Sequence, residues 1–217
     1  GGDLYDVLEV SDGKYLIVIG DVSGKGMPAA LYMSAALNVL RTEIACFALE
    51  AGRTISPATM LKIVNKMMKS AMKRGSFITL FVAILDTKAH TFTYTSGGHD
   101  PCVVWNPTTK RKELINTKGK ACGPIAPKLY DPTVVEQEIN IQAGDYLFFN
   151  TDGITEAKDS AAKEYTDTRY HNDIEDITDS ETPQIALETL FKRVKLFAGE
   201  APQYDDMTML CIRRLPL

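Results

Sequence analysis

Aspartates recur beside glycines or at the ends of β-rich runs in four places: Gly1-Gly2-Asp3, Gly20-Asp21, Thr151-Asp152-Gly153 and Asp205-Asp206. Carboxylates are hard oxygen donors suited to Mg²⁺ or Mn²⁺, and a neighbouring glycine lets backbone or water approach closely. No cluster of His or Cys accompanies them, so zinc is the poorer fit. Four carboxylates gathered at one point would repel and shift one another's pKa values, and two divalent cations would balance that charge. Any one Asp-Gly pair is an ordinary turn signal, so the chemistry rests on the four occurring together.

The elements that must position these acids follow from hydrophobic periodicity. Asp6 to Val10 and Lys14 to Gly20, split by Ser11-Asp12-Gly13, read as a hairpin that carries Asp3 near one strand and Asp21 at the end of the next. Met27-Pro28 opens a helix to about Ala48, and Ser56-Pro57 caps a second to about Lys73 with Met60, Val64, Met67 and Ala71 on its apolar stripe. The methionines read as core filling rather than as an adaptable binding face. Phe77 to Leu85, His90 to Thr95 and Pro101 to Trp105 read as a three-strand meander. Val134 to Ile139 and Tyr146 to Asn150 read as a pair around Ala143-Gly144-Asp145, with a last strand over Met207 to Ile212. Thr182-Pro183 starts a late helix with Leu187, Leu190, Val194 and Phe197 on one face. Lys158 to Ser180 is acidic with little periodicity and is expected to be an exposed excursion. Short strands joined by tight turns, with helices grouped outside them, predict an α+β fold built on antiparallel sheets.

Composition bounds the answer. The chain has 217 residues, 45% of them hydrophobic, enough for a substantial core in a single domain. Its net charge of −4 offers no broad basic surface, so nucleic acid is not an expected partner. Cys46, Cys102, Cys122 and Cys211 are widely spaced without a Cys-x-x-Cys pair and read as small buried apolar residues. No apolar run reaches the ~20 residues of a membrane span, and no signal peptide opens the chain, so no membrane contact by this segment and a cytoplasmic location are expected. The abrupt, Met-less start suggests a piece of something longer.

In the order GGDLYD, IGDVSGKGMPAAL, SGGHDP, GDYLFFNTDGITEA and DDMTMLCI, the motifs resemble the bacterial stage II sporulation and RsbU-like branch of the PPM phosphatases, across essentially the whole chain. The resemblance implies a four-layer α-β-β-α sandwich of two antiparallel sheets flanked by helices. It implies that Asp3, Asp21, Asp152, Asp205 and the backbone carbonyl of Val22 hold two Mn²⁺ or Mg²⁺ ions. Asp206 competes with Asp205 for the last place, and Asp6 is a candidate for contact through water. In-line attack of water on a phosphoserine or phosphothreonine, without a phosphoenzyme, is the implied reaction. The implied substrate is a phosphorylated protein, an anti-sigma-factor antagonist, under control of an upstream sensor domain. With that sensor upstream, the chain is expected to be a C-terminal fragment of a longer protein, its cytoplasmic part where that protein is membrane-anchored, and a homodimer is left open.

Departures from the family pattern also matter. Eukaryotic members carry Gly-His-Gly after the second acid, where this chain has Val22-Ser23-Gly24, so the general acid is unassigned and cation-held water is the expected proton source. His99, in Ser96-Gly97-Gly98-His99, belongs to a loop read as positioning rather than catalytic. Relatives have a further strand before the first motif, and its lack would leave a sheet edge unpaired. A phosphate-loop reading of Gly20 to Gly26 fails on spacing and on the missing Ser or Thr after Lys25. A diguanylate cyclase reading of Gly1-Gly2-Asp3 fails because Leu4-Tyr5 follows. The remaining alternative is a degenerate domain that binds a phosphoprotein or partner without hydrolysis.

Overall fold

The computed structural model describes residues 1–49 and 55–215, which gather into two compact units interleaved in sequence. The first comprises Gly1–His99 and Asn116–Asn140; the second comprises Asp100–Ile115 and the chain from Ile141 onward.

The first unit is a five-stranded antiparallel sheet in the order β1-β2-β3-β4-β7, with β1 Leu4–Ser11, β2 Lys14–Val22, β3 Ile78–Asp86, β4 Thr91–Gly97 and β7 Gln137–Asn140. The expected hairpin is present, with Leu4 opposite Gly20, and the register shifts between Glu9 and Ser11. Side chains alternate along a strand, so Leu4 faces the core while Tyr5 and Val7 face outward. Helices α1 (Met27–Leu49) and α2 (Pro57–Ala71) pack on this sheet. Ala29, Ala36 and Leu40 on α1 repeat at helical spacing and join the core with Leu16, Val18 and Val82. Ser56 caps α2 by accepting a hydrogen bond from the Thr59 N–H at 3.2 Å. The buried stripe of α2 runs through Met60, Leu61, Val64 and Met68, so neither Met67, 49% exposed, nor Ala71, also exposed, is on it. Asn65 shares the buried face because the Gly123 N–H and the Ile125 carbonyl satisfy its amide.

The second unit is a four-stranded antiparallel sheet in the order β6-β5-β8-β9, with β5 Cys102–Asn106, β6 Arg111–Ile115, β8 Tyr146–Asn150 and β9 Met209–Arg213. The expected meander is therefore corrected: β4 pairs on its far side with β7, so β5 has no place beside it and pairs with β6 and β8. The expected β7–β8 pair is corrected for the same reason. Gln142 and Asp145 do form a turn, with the Gln142 N–H donating to the Asp145 carboxylate at 2.7 Å, but the strands on either side enter different sheets.

Helix α6 (Pro183–Ala198) is capped by Thr182 and buries Ala186, Leu190 and Val194. The acidic stretch read as an excursion contains α5 (Asp167–Glu175) and contributes Tyr165, Tyr170, Ile174 and Ile177 to the core. Tyr170 and Ile174, four residues apart, share the inward face of α5, and Tyr165 before the helix and Ile177 after it are buried too. Two short helices, α3 (Pro127–Tyr130) and α4 (Asp152–Thr155), belong to the first and the second unit respectively. Cys102 and Cys122 are buried, whereas Cys46 is exposed, against expectation. Burial pushes the Cys122 thiol up to about 12, so it packs as an apolar group. No helix among the described residues is long and apolar enough to cross a membrane.

Candidate metal centre

In the first unit the strand register brings Asp3 and Asp21 together. Leu4 pairs with Gly20, and one step further the Val22 N–H donates to the Gly2 carbonyl at 3.2 Å, which sets Asp3 across from Asp21. A Cβ at Gly2 would stand 2.6 Å from the Val22 carbonyl oxygen and 2.8 Å from Asp21 Oδ1. Only glycine leaves that space open, so two kinds of oxygen donor face one small cradle. Val22 itself is buried at the end of β2.

Asp6 lies on the opposite strand face from Asp3. Its Oδ2 accepts from Arg41 Nε on α1 at 2.8 Å, so an ion pair engages the carboxylate expected to reach a metal through water. His99 is buried, and its backbone is tied to Ser96 and Asn116. Its Nδ1 lies 3.1 Å from Thr79 Oγ1, which also donates to the Asp21 carbonyl at 3.4 Å. His99 thus braces the strand that carries Asp21.

In the second unit, β8 ends at Asn150 and the chain turns through Thr151 into α4, which begins at Asp152. The Thr151 N–H donates to the Thr208 carbonyl at 3.0 Å, and the Thr208 N–H donates back to Thr151 Oγ1 at 3.1 Å. These bonds pin the α4 turn to the segment holding Asp205 and Asp206. A Cβ at Gly153 would stand 1.9 Å from the Asp206 carbonyl oxygen, so the contact tolerates no side chain. Asp205 is shaped by its own turn: its Oδ1 accepts from the Asp206 N–H at 2.9 Å, and Gln203 donates to its carbonyl.

Negative charge crowds this end of the second unit. Burial first, then Asp167, Asp152 and Glu156, push the Asp100 carboxyl up to about 6. Glu156 is likewise raised, by burial and then by Asp152, Glu164 and Asp205. Neither Asp100 nor Glu156 stood out in the sequence, although Asp100 follows His99 in the SGGHDP motif and Glu156 lies one helical turn beyond Asp152. A cation would relieve both.

Among the described residues, no three His, Cys, Asp or Glu side chains gather tightly enough to hold a metal ion by themselves. The donors instead stand as two pairs, Asp3 with Asp21 and Asp152 with Asp205 or Asp206, supplemented by the Val22 carbonyl. All are oxygen, which suits Mg²⁺ or Mn²⁺, and the Gly2 cradle leaves room beside two of them. On donor chemistry and space, the residues fit hard divalent cations.

Two antiparallel sheets carrying helices are shared with the PP2C domain of SiaA from Pseudomonas aeruginosa. The two align with a TM-score of 0.81 over 98% of this chain and 80% of that one, at 21% identity. The family model for stage II sporulation protein E (SpoIIE) matches residues 11–215, and the chain belongs to that family. Phosphoserine phosphatase RsbU of Bacillus subtilis is 31% identical over 157 residues, covering 72% of this chain and 43% of RsbU. Protein IcfG of Synechocystis sp. is 25% identical over 241 residues, covering 98% of this chain and 36% of IcfG. The chain thus spans less than half the length of either relative.

Proposed function

We propose that this domain is a metal-dependent protein phosphatase that hydrolyses phosphoserine or phosphothreonine on a regulatory protein. Two Mn²⁺ or Mg²⁺ ions would be held by Asp3, Asp21, the Val22 carbonyl, Asp152 and Asp205. The observation that carries this reading is the pair of glycine contacts: Gly2 leaves Asp21 Oδ1 and the Val22 carbonyl facing open space, and Gly153 lets the α4 turn that begins at Asp152 press against the Asp205–Asp206 backbone. Family membership and the phosphoserine phosphatase RsbU among the relatives support the reaction class. Asp205 is preferred to Asp206 because its alignment before Met207-Thr208 fits the family motif.

Bound divalent cations would supply the positive charge that offsets the phosphoryl oxygens and lowers the pKa of the attacking water. The chain's own part is positioning. The β1–β2 register fixes Asp3 against Asp21, the Thr151–Thr208 bonds fix Asp152 beside Asp205, and His99 braces Thr79 and Asp21 rather than handling the proton. Water would then protonate the leaving serine oxygen. An anti-sigma-factor antagonist as substrate, an upstream sensor domain and a cytoplasmic setting are the biological frame we attach to this chemistry, supported by kinship to RsbU and the SpoIIE family.

The test is phosphate release from a phosphoserine peptide while Mn²⁺ and Mg²⁺ are titrated, with Asp21→Ala in parallel. Metal-dependent release that falls at least about a hundredfold in the variant is expected. Release that ignores both metal and variant would overturn the assignment, and no release from folded protein would favour the binding-module alternative.

A further inference from the structure

The second unit contains a cavity of about 250 Å³ bounded by the α4 turn, the C-terminal end of α6 and the segment leading to β9. Gly153 and Asp205 form part of its wall, so it opens directly beside the acids proposed to hold metal. Val194, Ala198, Ala201, Pro202 and Met207 supply its apolar lining. Lys158, Lys195, Glu156 and Asp205 line it as well. Lys158 also pairs with Glu164 at 3.5 Å and lies 5.3 Å from the Tyr204 ring centroid, while Lys195 lies over Phe191.

Size narrows the occupant. Roughly eight waters' worth of volume, at ~30 Å³ each, is too much for an ordinary packing defect, yet it falls below the ~300 Å³ at which small-molecule and cofactor pockets begin. One large aliphatic side chain fits such a space. Charge narrows it further: with Lys158 taken up by Glu164 and Asp205 by the proposed metal, one acid, Glu156, and one base, Lys195, remain, so the lining selects for apolar area and penalises a charged side chain that would have to shed its water. Position supplies the rest. An extended peptide advances about 3.3 Å per residue, so a residue one or two places from a phosphoserine at Asp152 and Asp205 would reach the cavity.

We infer that this cavity is a specificity subsite receiving an apolar side chain, of Leu or Met size, that flanks the phosphoserine of the protein substrate. The inference rests on the phosphatase reading above and deepens it by naming what the substrate must carry beside its phosphate. Tyr204, 68% exposed, forms the outer wall, and Ala201 is the point at which added volume would close the space.

The experiment compares kcat/KM for phosphoserine peptides in which each position within two residues of the phosphate is varied among Leu, Ala, Glu and Lys, with an aryl phosphate as a peptide-free control. At one position Leu should exceed Ala by about tenfold, with Glu and Lys no better than Ala. Ala201→Trp, confirmed folded by its melting curve, should collapse that Leu-to-Ala ratio to near one. Tyr204→Ala, which removes only an exposed wall, should lower the ratio as well. A ratio below threefold at every position, from an enzyme that hydrolyses the aryl phosphate, would give the cavity to another occupant and overturn the subsite alone. A ratio that persists in Ala201→Trp would do the same. No hydrolysis of any substrate by the unaltered protein would overturn the phosphatase reading, and the subsite with it.

Discussion

The two acid pairs are built by different means. Asp3 and Asp21 are held by a sheet: neighbouring strands in register, continued by the Val22–Gly2 bond, put them opposite each other whatever their charges. Asp152 and Asp205 are held by a helical turn and a loop, cross-tied through Thr151 and Thr208 and pressed together at Gly153. The second arrangement is also the more highly charged: burial first, and then Asp152 among other acids, raises the pKa of both Asp100 and Glu156. A ladder positions acids without needing a cation, whereas a loop crowded with carboxylates gains order when a cation arrives. The second unit should therefore be the more sensitive of the two to metal and to small changes in backbone packing.

The largest effect expected is on turnover. Asp152→Asn keeps the shape of the side chain but loses its charge, and metal-dependent phosphate release should fall about a thousandfold with the circular dichroism spectrum unchanged. Next come the two glycines, which set the pairs against each other directly. Gly153→Ala drives a methyl into the Asp206 carbonyl and should cost about 3 kcal/mol, read as a melting temperature lower by about 6–12 °C. Gly2→Ala meets the Val22 carbonyl just outside the registered β1–β2 ladder, whose last pair is Leu4 with Gly20. It should leave the melting temperature nearly unchanged while raising the Mn²⁺ concentration for half-maximal activity about tenfold. Equal thermal losses in both variants would erase the distinction drawn between ladder and loop.

A smaller effect tests the crowding of charge. Because the folded-state pKa of Asp100, about 6, lies above its ordinary value of 3.8, the folded protein binds this proton more tightly than the unfolded chain does. Stability without added metal should therefore fall as pH rises from about 4 to about 6 and level off above that. Asp100→Asn should remove that slope and stabilise the metal-free protein at pH 7 by about 1–2 kcal/mol, measured by denaturant titration. Saturating Mn²⁺ should shrink the difference. The smallest effect belongs to the first unit: Ser56→Ala deletes the cap of α2 and should cost about 1 kcal/mol with no change in turnover, because strand register, not helix capping, places Asp3 and Asp21.

Much of this was legible in the sequence, for reasons that differ by region. The β1–β2 hairpin and the caps at Ser56 and Thr182 were readable because turn and cap signals act within a few residues. Strand partnership was not. The position of β5 depends on β7 taking the far edge of β4, a pairing about 45 residues away that no local pattern encodes. Helix α5 was hidden because acids outnumber the apolar residues between Tyr165 and Ile177, so only Tyr170 and Ile174 mark its inward face. On α2 the stripe was read one residue early, at Met67 instead of Met68, since adjacent methionines give periodicity nothing to choose between. At the candidate site, the Asp-Gly pairs were visible as motifs. The engagement of Asp6 by Arg41 and the crowding of Asp100 were not, because each depends on residues distant in the chain.

The function proposed above requires both acid pairs to contribute ligands to the catalytic cations, and a double-mutant cycle on phosphoserine-peptide turnover tests that requirement most directly. Asp21→Asn from the first pair and Asp205→Asn from the second are measured singly and together at saturating Mn²⁺, with a sensitive phosphate assay. If both pairs hold the same catalytic cations, either substitution alone removes most of the activity and the double variant is scarcely worse than the weaker single one. Losses that multiply would contradict the account, since they would mean that each pair contributes independently.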